Sequence, residues 1–125
     1  DTVATGGRYD GAYGVLAAIE VVATLRDARI VPRHPITVAA FTNEEGVRFQ
    51  PDMMGSLVHA GGLALQQALD TVGTDGVRLG DALAQIGYAG TLEPGTIRPQ
   101  AYLELHIEQG PVLEAEPSRV SIELL

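Results

Sequence analysis

Three features of the chain predict an α/β fold. Residues 12–23 carry apolar side chains at helical spacing, residues 36–42 form a largely apolar run of strand length, and residues 101–107 alternate apolar with polar side chains. A helix followed by a buried strand is one repeat of a layered sheet, since each element must bury an apolar face on another. The alternating segment adds a strand with one polar face. At 125 residues, 46% hydrophobic and 19% charged, the chain has the length and composition of a single globular domain with a sizeable core.

Composition excludes several functions. A net charge of −8 argues against a nucleic-acid partner, whose phosphates require a basic surface. No apolar run approaches the roughly 20 residues of a membrane-spanning helix, and the first residues are not a basic, Leu-rich leader. The expectation is therefore a cytoplasmic protein with no membrane partner. With no cysteine there is neither disulfide nor thiolate metal site, so any metal must be held by His and carboxylates. All eight basic residues are Arg, a bias typical of GC-rich coding DNA. The chain opens on Asp1 without a lead-in and closes on residues 120–125, which read as a strand. The expectation is a fragment of a longer chain, truncated at both ends.

Taken in order, Gly6-Gly7-Arg8-Tyr9-Asp10-Gly11 is a turn carrying an acid. Ala12, Val15, Leu16, Ile19, Val22 and Ala23 then mark one face of a helix, with Glu20, Thr24 and Asp27 largely opposite. Asp10 stands where an N-cap stands, and the preference for Asp there favours a capping role over a metal-binding one. The glycines lack the G-x-G-x-x-G spacing of a dinucleotide loop and follow no strand, which excludes that reading. Pro32 and Pro35 bar helix from the connector, where His34 is expected to be solvated.

The run over residues 36–42 ends at Asn43-Glu44-Glu45-Gly46. Carboxylates at the C-terminal end of a buried strand sit where open α/β sheets bind ligands. Adjacent acids repel, so a fold that keeps them together supplies a cation or leaves one protonated; a solvated loop is the competing reading. Residues 47–55 read as an irregular loop in which Met53 and Met54 pack. Residues 56–60 read as helical up to Gly61-Gly62, with His59 an ordinary surface or packing histidine. Residues 63–69 and 79–86 read as short helices joined by the turn Gly73-Thr74-Asp75-Gly76, and 87–99 as a Gly- and Pro-rich loop. This middle third shows no chemistry and is expected to cover a site.

In residues 101–110, alternation places Ala101, Leu103, Leu105 and Ile107 on one face and Tyr102, Glu104, His106 and Glu108 on the other. A histidine between two acids is poor core material. An imidazole held by a carboxylate is the usual arrangement of a metal ligand, and an exposed His–Glu pair is the alternative.

Three motifs in this order, Gly6-Gly7-Arg8-Tyr9-Asp10-Gly11, Thr42-Asn43-Glu44-Glu45-Gly46-Val47-Arg48-Phe49 and Glu104-Leu105-His106-Ile107-Glu108-Gln109-Gly110, with Met54-Gly55-Ser56 between them, closely resemble the hydantoinase/carbamoylase branch of the M20 metallopeptidase family. That branch includes N-carbamoyl-L-amino-acid hydrolases, allantoate amidohydrolases and β-ureidopropionases. The likeness runs from Asp1 to about Glu116. It implies a partial zinc-peptidase-like catalytic domain spanning residues 1–125, with a mixed, mostly parallel sheet flanked by helices. The dimerisation domain of a homodimeric parent would lie outside the chain.

The resemblance also implies roles. Asp10 matches a carboxylate bridging two divalent metals, Glu45 a ligand of one metal and His106 a ligand of the other. Glu44 matches the general base that takes the proton of the attacking water. Asp1 matches the acid that orients a metal-binding His of a preceding Ser-His-Leu, and Gln109 a position near the substrate. The implied cofactors are two divalent ions, Zn²⁺ or Mn²⁺ with Co²⁺ and Ni²⁺ also compatible. The implied reaction is hydrolysis of the linear amide or ureido C–N bond of N-carbamoyl-L-amino acids, allantoate or β-ureidopropionate. The substrate carboxylate is expected to meet arginines that this chain does not identify. Pro117-Ser118-Arg119-Val120-Ser121 departs from the family pattern, which continues there with a Gly-containing turn. Two alternatives stand beside this reading: an M20 aminoacylase or dipeptidase, disfavoured by His106-Ile107-Glu108-Gln109-Gly110, and a non-catalytic piece that binds a partner.

Overall fold

The structure, a computed structural model, describes residues 5–115 and 122–124. Phe41–Pro99 form one compact unit, and the described residues of Thr2–Ala40 and Gln100–Leu125 form another.

The second of these contains α1 (Ala12–Asp27), β1 (Leu103–Leu105), α5 (Val112–Ala115) and β2 (Ile122–Leu124). α1 begins at Gly11, whose φ of 64° is left-handed and suits a residue without Cβ. It ends where Arg29 turns left-handed at φ 56°, shortly before Pro32. Its middle rests on β1 through Gly14, where an added Cβ would stand 2.9 Å from the Leu105 carbonyl oxygen. β1 and β2 pair antiparallel, with Leu103 opposite Leu124 and Leu105 opposite Ile122.

The ladder among the described residues is two-stranded and antiparallel. One expectation is corrected here. Residues 36–42 are not a buried strand: they carry no strand hydrogen bonding, and Ile36 is 49% exposed. The apolar run reports an appetite for burial, but a strand exists only by pairing, and no described segment pairs with it. The predicted apolar stripe of α1 is likewise uncovered, with Leu16 and Ile19 exposed.

Phe41–Pro99 hold a core of their own. Phe49, Met54, Ala68, Leu79 and Ala82 are buried together, with Val58, Leu63, Val77 and Leu83 packed around them. The contributing helices are α2 (Met54–Ala60), α3 (Leu65–Leu69) and α4 (Leu79–Gln85). The turn over 73–76 forms as expected and is closed by a bridge between Val72 and Arg78. Met54 packs as expected, whereas Met53 stays half exposed. The Val77 N–H and then the Arg48 guanidinium hold the Asp75 carboxyl below its ordinary value, against an opposing effect of desolvation. That pair is open to water, so it directs the turn more than it stabilises it.

Candidate active site

Asp10 is the buried charged residue among those described, at 8% exposure. The N-cap expectation for it is overturned: Gly11 occupies that position and α1 has no side-chain cap. The Asp10 carboxylate instead faces the residues that follow β1. Gln109 Nε2 donates a 2.6 Å hydrogen bond to Asp10 Oδ2, and His106 Nε2 lies 3.7 Å from Asp10 Oδ1. The close seating at Gly14 explains this meeting, because Asp10 lies just before α1 and His106 just after β1.

The imidazole is oriented. His106 Nδ1 is 2.5 Å from the Ile107 carbonyl oxygen, which can only accept, so Nδ1 carries the proton. In the neutral ring the lone pair is then on Nε2, on the side of Asp10. A backbone carbonyl therefore does the work that the sequence suggested for a flanking carboxylate. Those acids are engaged elsewhere: Glu104 accepts from the Tyr102 hydroxyl at 2.8 Å, and Glu108 accepts from the Leu113 N–H at 2.8 Å, capping α5. Burial, and then Glu104, push the Tyr102 phenol up to about 12.

Glu44 and Glu45 stand half buried in a tightly bound loop. Asn43 and Gly46 on either side are left-handed, with φ of 54° and 65°. The carbonyls of Thr42, Asn43 and Glu44 accept from the N–H groups of Gly55, Met54 and Met53. These donors open α2, which has no side-chain cap. The acid loop satisfies them with its backbone and is fixed in return. At Gly55 a Cβ would fall 2.7 Å from both Thr42 N and Thr42 O, and at Gly46 it would fall 2.8 Å from the Asp52 backbone. Sequence reasoning missed the close backbone approaches at Gly14, Gly46 and Gly55; glycines beside chemical residues were the available signal.

Asp1 lies outside the described residues. Among the described residues no three His, Asp or Glu side chains gather as a complete metal cluster. The donors present do fit one edge of a divalent-metal site: a buried carboxylate and a preoriented imidazole nitrogen converge beyond hydrogen-bonding distance, as two ligands of one ion would. A groove of about 720 Å³ lies at the far end of α1, lined by Val22, Leu25, Ile30 and Ile36 among others. It is remote from Asp10 along a helix roughly 24 Å long and shares none of these residues.

Residues 3–123 match peptidase family M20/M25/M40. An N-carbamoyl-L-amino-acid amidohydrolase of Rhizobium meliloti is 46% identical over 122 residues, covering 98% of this chain and 29% of the relative. An allantoate deiminase of Arabidopsis thaliana is 38% identical over 124 residues, covering 91% of this chain and 23% of the relative. A crystal structure of a hydantoinase/carbamoylase family amidase from Burkholderia ambifaria superposes with a TM-score of 0.89 at 52% identity, over 94% of this chain and 29% of that one. The chain belongs to peptidase family M20/M25/M40. Within that family its likeness is to the hydantoinase/carbamoylase branch, and it spans less than a third of the length of these relatives.

Proposed function

We propose that this chain is part of the catalytic domain of a divalent-metal-dependent amidohydrolase that opens the C–N bond of an N-carbamoyl-L-amino acid or a related ureido acid. The observation that carries the reading is the convergence of His106 Nε2 on buried Asp10. The relatives named for N-carbamoyl amino acids and allantoate support the ureido class. Zn²⁺ and Mn²⁺ both suit such donors.

On this reading Asp10, His106 and Glu45 hold metal, and Asp1 orients a further ligand. A bound divalent pair would polarise the scissile carbonyl and bring the pKa of a nearby water toward neutrality. Glu44 accepts a proton from water as its oxygen bonds to the carbonyl carbon, then delivers that proton to the nitrogen as the C–N bond breaks. The rigid loop holds Glu44 to this task, and Gln109 steadies Asp10 or meets substrate. The remaining ligands, a dimerisation domain and the arginines that grip substrate are assigned to the rest of a homodimeric, cytoplasmic parent.

The test is the full-length protein assayed on N-carbamoyl amino acids. Dialysis against a chelator should abolish turnover and Mn²⁺ or Zn²⁺ should restore it. Glu44→Gln should lower kcat by about 10²–10⁴-fold with metal content retained. An unchanged rate in Glu44→Gln would overturn the base assignment, and full activity after metal removal would overturn the metal.

A further inference from the structure

We propose that Asn43 is the positioning residue of the paired acids, through a side-chain brace that fixes where Glu44 and Glu45 stand. The inference rests on the hydrolase reading of Glu44 and Glu45 and adds a residue to it. Asn43 directly precedes Glu44, and its amide nitrogen donates to two backbone carbonyls across the loop, Phe49 O at 2.8 Å and Pro51 O at 3.2 Å. Only a primary amide offers two N–H donors on so short a side chain. The φ of 54° selects in the same direction, since Asn tolerates the left-handed region better than most residues with a Cβ.

The far end of the brace is anchored. Phe49 is buried at 4% in the core, next to Met54 and Leu79. Gln50 Nε2 reaches back to the Gly46 carbonyl at 2.6 Å, closing the other side of the acid pair. The Asn43 carbonyl meanwhile accepts from the Met54 N–H at 3.2 Å. The backbone holding Glu44 is thus tied to the start of α2 and, through the Asn43 amide, to the core residue Phe49. Without that amide, two carbonyls lose a donor and the acids are free to shift. Displacement of a catalytic group by about 1 Å can cost roughly 10²-fold in rate, and loss of an outer partner of a metal ligand typically weakens metal affinity about 10- to 100-fold.

The experiment compares Asn43→Gly, which keeps the left-handed backbone but removes the donors, with Asn43→Asp, which keeps shape but replaces the donors with acceptors, in the full-length protein. Saturating-metal kinetics should show kcat lowered about 10²-fold with KM within about twofold. Mn²⁺ titration of the metal-free protein should show affinity weakened about tenfold or more. A purely structural role would lower the melting temperature while leaving kcat per folded molecule and Mn²⁺ affinity as in the parent, and that result overturns the inference. If neither variant is recovered folded, amide exchange in the unaltered protein decides. Slow exchange of the Asn43 side-chain amide protons, which donate to Phe49 O and Pro51 O, supports the brace, and exchange at the rate of a free amide refutes it. Glu44→Gln is measured alongside. If that variant turns over normally, the base assignment of Glu44 on which the brace rests fails. If it is inactive while both Asn43 variants behave as parent, the brace alone fails.

Discussion

Gln109 donates a 2.6 Å hydrogen bond to the carboxylate of Asp10, a residue 99 positions earlier in the chain. The amide gives one Asp10 oxygen a neutral donor, while the other oxygen faces His106. Gln109 is left-handed at φ 54°, so the turn after β1 presents this side chain through a backbone conformation that costs energy for a residue with a Cβ.

Gln109→Ala in the full-length protein should therefore weaken Mn²⁺ binding by about 10- to 100-fold, as loss of a partner to a metal-binding carboxylate does. Titration of the metal-free protein measures it. A rise in KM with unchanged Mn²⁺ affinity would place Gln109 at the substrate instead.

Gly55→Ala should destabilise the protein by about 1–3 kcal/mol, the usual range for overpacking. The added methyl would lie 2.7 Å from the Thr42 backbone nitrogen and oxygen, neither of which can yield without breaking the bond from the Gly55 N–H to the Thr42 carbonyl. Chemical denaturation gives the stability, and kcat should fall with it because Glu44 is two residues from Thr42. Wild-type stability would show that the loop is looser than described.

Tyr102 should be the late-titrating phenol. Its pKa is raised from 10.0 to about 12, first by burial and then by Glu104, so the neutral form is favoured in the folded state. A raised folded value contributes stability that is fully present below pH 10 and is lost as pH rises through 12. Ultraviolet titration of the folded protein should show a phenolate component near pH 12 that Tyr102→Phe removes. Glu104→Gln should move that component down. A Tyr102 phenolate appearing near pH 10 would contradict the pairing.

The candidates for the site were legible in the chain as a one-dimensional pattern. Adjacency marked Glu44-Glu45 and a polar strand face marked His106, whereas position favoured a cap for Asp10 and only the family resemblance pointed it to metal. Local spacing also located α1, the break at Gly61-Gly62 and the 73–76 turn, all of which depend on near neighbours along the chain. Whether Asp10 caps α1 or faces His106 was beyond sequence. Both are local options for one carboxylate, and the choice depends on Gly14 letting α1 approach β1. The fate of residues 36–42 was equally out of reach, since an apolar run states what must be buried but pairing chooses its partner. The chain by itself determined which ionisable groups are available. Only the tertiary structure decided which of them meet, because those contacts join residues far apart in sequence through backbone approaches that no side-chain pattern records.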